Sequence, residues 1–229
     1  MTIEQNILSI RDRIKSACEK SGRSCDDVTL IAVTKTIDIN RIKEAVSCGL
    51  NILGENKAQE IMEKFPLLYE NIEYHMIGHL QTNKVKYIVD KVSMIQSVDS
   101  LKLAQEIDMR FRNHGRIIDI LVEINIGGEQ SKHGLAPEDV YQFLNSINKY
   151  KNLNVCGLMT VAPDYKSIEK IRPYFKKMKE IFENIKCHNV ENIKMNYLSM
   201  GMTNDFEIAV EEGANIIRIG SGIFGPRNY

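Results

Sequence analysis

Two hydrophobic periods succeed one another along this chain. At its start Ile3, Ile7, Ile10 and Ile14 recur at the three-to-four-residue spacing that lines one face of an amphipathic helix. The Ser21–Asp27 loop follows, and then the pattern changes. Val28-Thr29-Leu30-Ile31-Ala32-Val33-Thr34-Lys35 is an apolar run rich in β-branched residues, the composition of a strand buried on both faces. Further strand candidates begin near Asn51, Glu73, Ser93, Ile117, Leu153, Met195 and Asn215. Helical spacing fills the intervals: Ile39 to Val46, Lys57 to Tyr69, Asn83 to Lys91, Leu101 to His114, Pro137 to Lys151, Ser167 to Cys187 and Asn204 to Glu212. Pro137 near a helix start, and Gly49 and Gly213 just past helix ends, punctuate the pattern as expected. A short Phe224–Tyr229 tail closes the chain.

Strands alternating with helices imply a parallel sheet, and eight such units imply an α/β fold closed as a (β/α)8 TIM-type barrel with an additional N-terminal helix. An open doubly wound sheet is the alternative, because periodicity does not prove closure. A length of 229 residues without a Pro/Gly/Ser linker suits one barrel domain over 1–229. In a barrel, chemistry belongs at the C-terminal ends of the strands. Lys35, Gly54-Glu55-Asn56-Lys57, Gly78-His79, Asn125, Thr160, Ser199-Met200-Gly201 and Gly220-Ser221-Gly222 all fall there.

Bulk properties narrow the function. Lys+Arg and Asp+Glu are both 30, so the formal net charge is zero, which argues against nucleic acid or an anionic membrane as the main partner. The longest apolar runs are too short to span a bilayer, and Met1 to Lys20 has no signal-peptide core. Five scattered cysteines (18, 25, 48, 156 and 187) suit reduced thiols in a cytosol.

Two places carry candidate chemistry. Lys35 ends a buried strand, where partial desolvation favours the neutral amine that can attack a carbonyl to form a Schiff base. A lysine that snorkels to solvent is the plain alternative. At the far end, Asn215-Ile216-Ile217-Arg218-Ile219 runs into Gly220-Ser221-Gly222-Ile223-Phe224-Gly225. An arginine in an apolar strand is costly unless something pairs with it. An anion or a cofactor ring could be that partner. The glycines let backbone N–H groups approach an anion closely. The literal G-x-G-x-x-G is not a dinucleotide fingerprint, since no helix, strand and acidic residue follow it before Tyr229. A purely structural tight turn is the other reading. Phosphate sites in barrels frequently lie after strands seven and eight, and strand one closes beside strand eight. A Schiff-base lysine beside a phosphate cradle suggests a phosphorylated aldehyde.

Seven stretches spanning nearly the whole chain in order resemble the pyridoxal-phosphate homeostasis proteins, with the barrel of the alanine racemases as a more distant relative. They are Ala32–Lys35, Gly54–Asn56, His75–Lys84, Ser131–Gly134, Gly157–Thr160, Leu198–Met202 and Arg218–Gly225. The resemblance implies pyridoxal 5'-phosphate held as a Schiff base on Lys35. It implies phosphate contacts from Ser199, Gly220 and Ser221, Arg218 facing the pyridine nitrogen, and Asn56 and Met76 near the ring. His79 stands where proline is common in the family, and Ser221 where threonine is. An arginine can only donate, so beside the ring nitrogen it keeps that nitrogen unprotonated and weakens the ring as an electron sink.

Other constellations weigh less. His75 and His79 are four apart, but they straddle a strand end and a glycine with no obvious third ligand, so no metal is expected. Met76, Met159, Met195, Met200 and Met202 read as barrel filling and mouth lining. Lys132, in a loop after strand five, reads as a solvated lysine, or else as a second amine that receives the aldehyde during hand-over. The run Lys166 to Lys186 reads as the wet face of a helix, and Arg110, Arg112 and Arg116 as surface charges.

The leading expectation is therefore a cytoplasmic, monomeric carrier that buffers pyridoxal phosphate and delivers it to apo-enzymes, with no catalytic residue assigned. An amino-acid racemase is the alternative. The related two-base racemases take a tyrosine from a second β-domain, and the chain ends four residues after Gly225. A cofactor-free aldolase using Lys35 is a third reading, but it leaves Arg218 without a ring nitrogen to face.

Overall fold

The computed structural model describes residues 2–68, 71–163, 168–188 and 193–226. Eight parallel strands close on themselves in sequence order: β1 Thr29–Val33, β2 Ile52–Glu55, β3 Glu73–Met76, β4 Met94–Val98, β5 Ile118–Glu123, β6 Leu153–Met159, β7 Ile193–Ser199 and β8 Ile216–Ile219. Closure is made by β1, which pairs with β2 through Ala32–Leu53 and with β8 through Thr29–Ile216 to Ala32–Ile219. This excludes the open sheet. The helices are α1 Ile3–Ser21, α2 Ile39–Ser47, α3 Ala58–Lys64, α4 Leu101–Asn113, α5 Val140–Ile147, α6 Arg172–Cys187, α7 Phe206–Glu211 and the single turn α8 Ser221–Phe224.

Several helices are shorter than their patterns suggest. The helix expected over Asn83–Lys91 is a 3₁₀ segment, Thr82–Tyr87, followed by a turn. Its one buried residue, Val85, is followed past its end by buried Ile88, Val89 and Val92, and this i, i+3, i+4, i+7 spacing is what reads as α-helix in the sequence. The segments beginning at Pro137 and Ile168 likewise open with 3₁₀ turns before α5 and α6. Tyr69, Lys166, Ser167 and the last three residues of the expected tail lie outside the described residues.

Helix α1 is the additional N-terminal element. Thr2 and Gln5 form a capping box at its start, and Ile3, Ile7, Ile10 and Ile14 are buried against α2, α7 and α8. Among the described residues, no helix is long and apolar enough to cross a membrane.

Two cores follow from strand alternation. Ile31, Met94, Leu121, Cys156, Met159 and Ile216 pack together inside the barrel. Ala32, Leu53, Tyr74, Ile95, Ile120, Leu158, Ile217 and Ile219 face the helices. On each strand this parity then decides where polar residues go. Ile216 points inward, so Arg218 does too. Met94 brings Gln96, Leu121 brings Glu123 and Tyr197 brings Ser199. The barrel interior is therefore apolar in its middle layer and polar towards its C-terminal end.

Candidate functional site

Strand β1 stops at Val33 rather than at Lys35. Thr34 continues the ladder by donating its N–H to the Gly54 carbonyl at 3.0 Å, and Lys35 then leaves the sheet half-buried. Its flanks are fixed by a buried ion cluster that the sequence reading did not find. Lys64 Nζ donates to Glu55 Oε1 at 2.7 Å, to Glu60 Oε2 at 2.8 Å and to the Thr34 carbonyl at 2.7 Å. Thr34 Oγ1 donates to Glu55 at 2.6 Å, and the Thr36 N–H donates to Glu60 at 2.7 Å. Thr36 sits at φ 62°, left-handed backbone that a β-branched residue adopts only when its surroundings hold it there. Residues on both sides of Lys35 are thus tied to one lysine. Burial pushes the Glu55 carboxyl up, and Lys64 and Thr34 pull it back. In the sequence Glu55 falls in the turn after the second strand and Lys64 within the helical stretch Lys57 to Tyr69; only their three-dimensional pairing reveals the cluster.

A cavity of about 1030 Å³ opens at the barrel mouth, and Lys35, Asn56, Arg218, Gly220 and Ser221 all line it, together with Lys132 and Thr203. Its volume is at the upper end of the range for small-molecule sites. Asn56 is backed by Gly78, where a Cβ would lie 2.6 Å from the Asn56 carbonyl oxygen, so only glycine allows this approach. The glycine turn is pinned by Thr203, whose hydroxyl accepts from the Gly222 N–H and from Ser221 Oγ, each at 3.2 Å. Two hydroxyls, at 203 and 221, therefore stand at one edge of the cavity. Lys132 is not loosely solvated: Nζ donates to the Ala162 carbonyl at 3.0 Å and pairs with Glu129.

Two of the seven expected site residues stand elsewhere. Met76 shares parity with Tyr74, so it faces the helix layer rather than the mouth; it is 1 % exposed. Ser199 is fully buried at the end of β7, beneath the cavity. Its hydroxyl accepts from Arg218 Nη1 and donates to Gln96 Oε1 at 2.7 Å. Gln96 Nε2 reaches His75 Nδ1 at 3.0 Å. With the Gln96 oxygen used by Ser199, its amide must donate, so His75 Nδ1 accepts and the ring carries its proton on Nε2. Burial holds His75 neutral, with its pKa lowered from 6.5 to about 4, against a weak upward pull from Asp119.

Arg218 heads this chain. Its Nη2 also donates to the Thr160 carbonyl at 2.8 Å. Burial lowers its pKa to about 10, while Glu123 and Asp205 act to raise it. The arginine in an apolar strand is therefore paired from below and lines the cavity above. Glu123 faces inward as well. Burial and the nearby Asp99 raise its pKa from 4.5 to about 7, with Arg218 pulling it back.

Glu123 and His75 give opposite pH dependence. The folded protein keeps a proton on Glu123 that the unfolded chain releases, so this stabilisation is present below about pH 4.5 and lost as pH rises to about 7. His75 in the unfolded chain takes up a proton that the folded protein refuses. Its stabilisation is present above about pH 6.5 and lost as pH falls to about 4. Between these limits the two slopes oppose. Glu123→Gln removes one of them. Relative to wild type, the variant should gain about 3 kcal/mol as pH is raised from about 4.5 to about 7.5, read by urea unfolding. A difference that stays constant with pH would show that Glu123 is ionised throughout.

A family model described as the alanine racemase N-terminal domain matches residues 6–228. A pyridoxal phosphate homeostasis protein of Aquifex aeolicus is 40% identical over 226 residues, covering 98% of each chain. Among solved structures, a protein of Bifidobacterium adolescentis described as unknown superposes with a TM-score of 0.91 at 33% identity, covering 97% of this chain and 94% of that one. PipY of Synechococcus elongatus PCC7942, solved with PLP bound, superposes with a TM-score of 0.86 at 28% identity, covering 98% of this chain and all of that one. The eight-stranded closure, the mouth cavity and these full-length matches agree, and the chain belongs to the pyridoxal phosphate homeostasis proteins, built on the barrel of the alanine racemase N-terminal domain.

Proposed function

We propose that this chain binds pyridoxal 5'-phosphate in the mouth cavity and serves its homeostasis, buffering the cofactor and delivering it without robust turnover of its own. One observation carries the reading. A single cavity presents a lysine amine, a buried guanidinium and a hydroxyl-bearing glycine turn. Pyridoxal phosphate needs a partner for its aldehyde, its ring nitrogen and its phosphate, so the donor set fits the group. The names of the relatives and the PLP complex of PipY support the same reading.

When bound, the cofactor supplies a reactive aldehyde and a ring that can accept electrons. Lys35 would hold the aldehyde through its amine, and the Lys64 cluster keeps the backbone on either side of that amine in place. Asn56 would contact the ring. Arg218 would donate to the ring nitrogen and, being able only to donate, would hold it unprotonated, which disfavours carbanion chemistry. Gly220 and Ser221 take the phosphate with Thr203. Ser199 acts one step removed, by orienting Arg218, and Met76 by packing the wall behind the mouth. The functional unit is the whole barrel, 1–229, acting as a monomer in the cytoplasm, with apo-enzymes that require the cofactor as recipients.

The phosphate arm is directly testable. Ser221→Ala combined with Thr203→Ala removes two hydroxyls that can bond an anion. Bonds to charged groups contribute about 1.5–3 kcal/mol each, so affinity for pyridoxal phosphate should fall at least about tenfold. Pyridoxal, which lacks the phosphate, should bind the wild type weakly and be indifferent to the double substitution. Equal wild-type affinities for the two compounds would show that the glycine turn is only a turn.

A further inference from the structure

His75 and His79 do not meet: His75 is inside the barrel on Gln96, while His79 lies at the rim. There His79 finds different company. Its ring stacks on that of His133 with centroids 3.7 Å apart and planes within 11°. Both Nδ1 atoms aim at one carboxylate oxygen, Asp99 Oδ2, at 3.9 Å from His79 and 4.0 Å from His133. One donor atom from each residue lies within 4.8 Å of the other two. None of the three lines the cavity that holds Lys35.

We propose that His79, Asp99 and His133 form a binding site for a divalent transition ion of the zinc class. Two imidazoles and one carboxylate suit zinc, nickel or cobalt and do not suit the oxygen-seeking magnesium or calcium. A tetrahedral ion about 2.1 Å from each donor sets donor–donor separations of about 3.4 Å. The observed separations to Asp99 exceed that by about half an ångström, and the two rings, nearly parallel in their stack, must also turn so that their in-plane lone pairs converge; rotation about the side-chain bonds at an exposed rim supplies both. A shared cation satisfies both nitrogen lone pairs and the carboxylate together. Three protein ligands leave a further position open to water or a small ligand.

The three ligands come from three successive loops, each held by its own local structure. Asp99 directly follows β4. His79 follows Gly78, which abuts the Asn56 backbone. His133 lies in a loop closed by Asn125, whose Nδ2 donates to the Glu129 carbonyl at 2.8 Å and the Lys132 carbonyl at 3.3 Å. Gly134, at φ 110°, brings the loop back against Asn125, where any Cβ would lie 2.6 Å from the Asn125 nitrogen. An ion here ties the loops after β3, β4 and β5 into one rim.

The test is calorimetric titration of the metal-free full chain with Zn(II) and Ni(II), with Cys25 and Cys187, the exposed thiols, alkylated beforehand. One equivalent per chain is expected for the wild type, together with a visible absorption band when Co(II) is the probe. His79→Ala, His133→Ala and Asp99→Asn should each weaken binding by about 100-fold or more, since even the loss of an outer partner of a metal ligand costs about 10–100-fold. All three positions are at the rim, so unchanged circular dichroism is expected and is checked for each variant. Absence of saturable binding in the wild type overturns the site. So does binding that survives all three substitutions undiminished.

Discussion

Lys35→Ala is expected to abolish borohydride-trapped cofactor and the visible absorption of the bound aldehyde, and to leave the barrel folded. The first part follows from the cavity, which among the described residues presents two lysines, Lys35 and Lys132; of these, Lys35 follows β1, the strand paired with β8, whose end carries the glycine turn. The second part follows from the support around position 35. Thr34 and Thr36 are held by bonds to Glu55, Glu60 and Lys64, in which the Lys35 side chain is neither donor nor acceptor. Pyridoxal phosphate retained non-covalently through Arg218 and the glycine turn is compatible with this result, and dialysis against wild type measures it. Mass spectrometry of the reduced protein decides the assignment. Undiminished covalent cofactor in Lys35→Ala, mapped to Lys132, would move the primary site across the mouth.

The order of elements was legible because a parallel barrel repeats one simple pattern. Every strand expected from an apolar run is present within two residues of its expected start, from Thr29 for the run at Val28 to Ile193 for the run at Met195. Placing chemistry at the strand ends also brought Lys35, Asn56, Arg218, Gly220 and Ser221 to one cavity. Ser199, placed by that reasoning, and Met76, implied by the resemblance alone, show where these expectations stop. A position next to a strand end does not say which way the side chain points. Strand parity does: Tyr74 and Met76 point out, whereas Tyr197 and Ser199 point in. Applied to Ile216 and Arg218, Met94 and Gln96, and Leu121 and Glu123, the same parity marks the polar interior, and that signal was present in the sequence. The Lys64 cluster left no comparable signal. Glu55, Glu60 and Lys64 lie on β2 and α3 and meet Thr34 from β1 only because these elements pack together. The meeting of His79, Asp99 and His133 depends in the same way on the loops after β3, β4 and β5 closing over one rim.

Arg218→Met should produce the largest loss of stability among single changes at the site, together with an altered spectrum of the bound cofactor. Methionine approximates the volume but supplies neither donor nor charge. Ser199 Oγ and the Thr160 carbonyl then lose the Arg218 donor, Ser199 keeping its bond to Gln96, and Glu123 and Asp205 lose the nearby cation that opposes their upward shifts. Removing one member of a buried charged set costs about 3–5 kcal/mol, which for a chain of this length is a fall in Tm of about 10 °C. Arg218→Glu would add a third carboxylate beside Glu123 and Asp205 and is the poorer probe. Arg218→Lys, which keeps a cation and a donor, should retain part of the lost stability. The functional consequence is separable from the structural one below the lowered Tm. With its donor gone, the ring nitrogen takes its protonation from solvent, so absorption should become pH-dependent in the variant and stay constant in the wild type. Neither protein should turn amino acids over. The decisive measurement is α-proton exchange in deuterated water, with each alanine enantiomer at saturating cofactor. Negligible exchange in the wild type is expected of a carrier whose ring nitrogen is held unprotonated by Arg218. Fast exchange that Lys35→Ala abolishes would make this barrel a racemase instead.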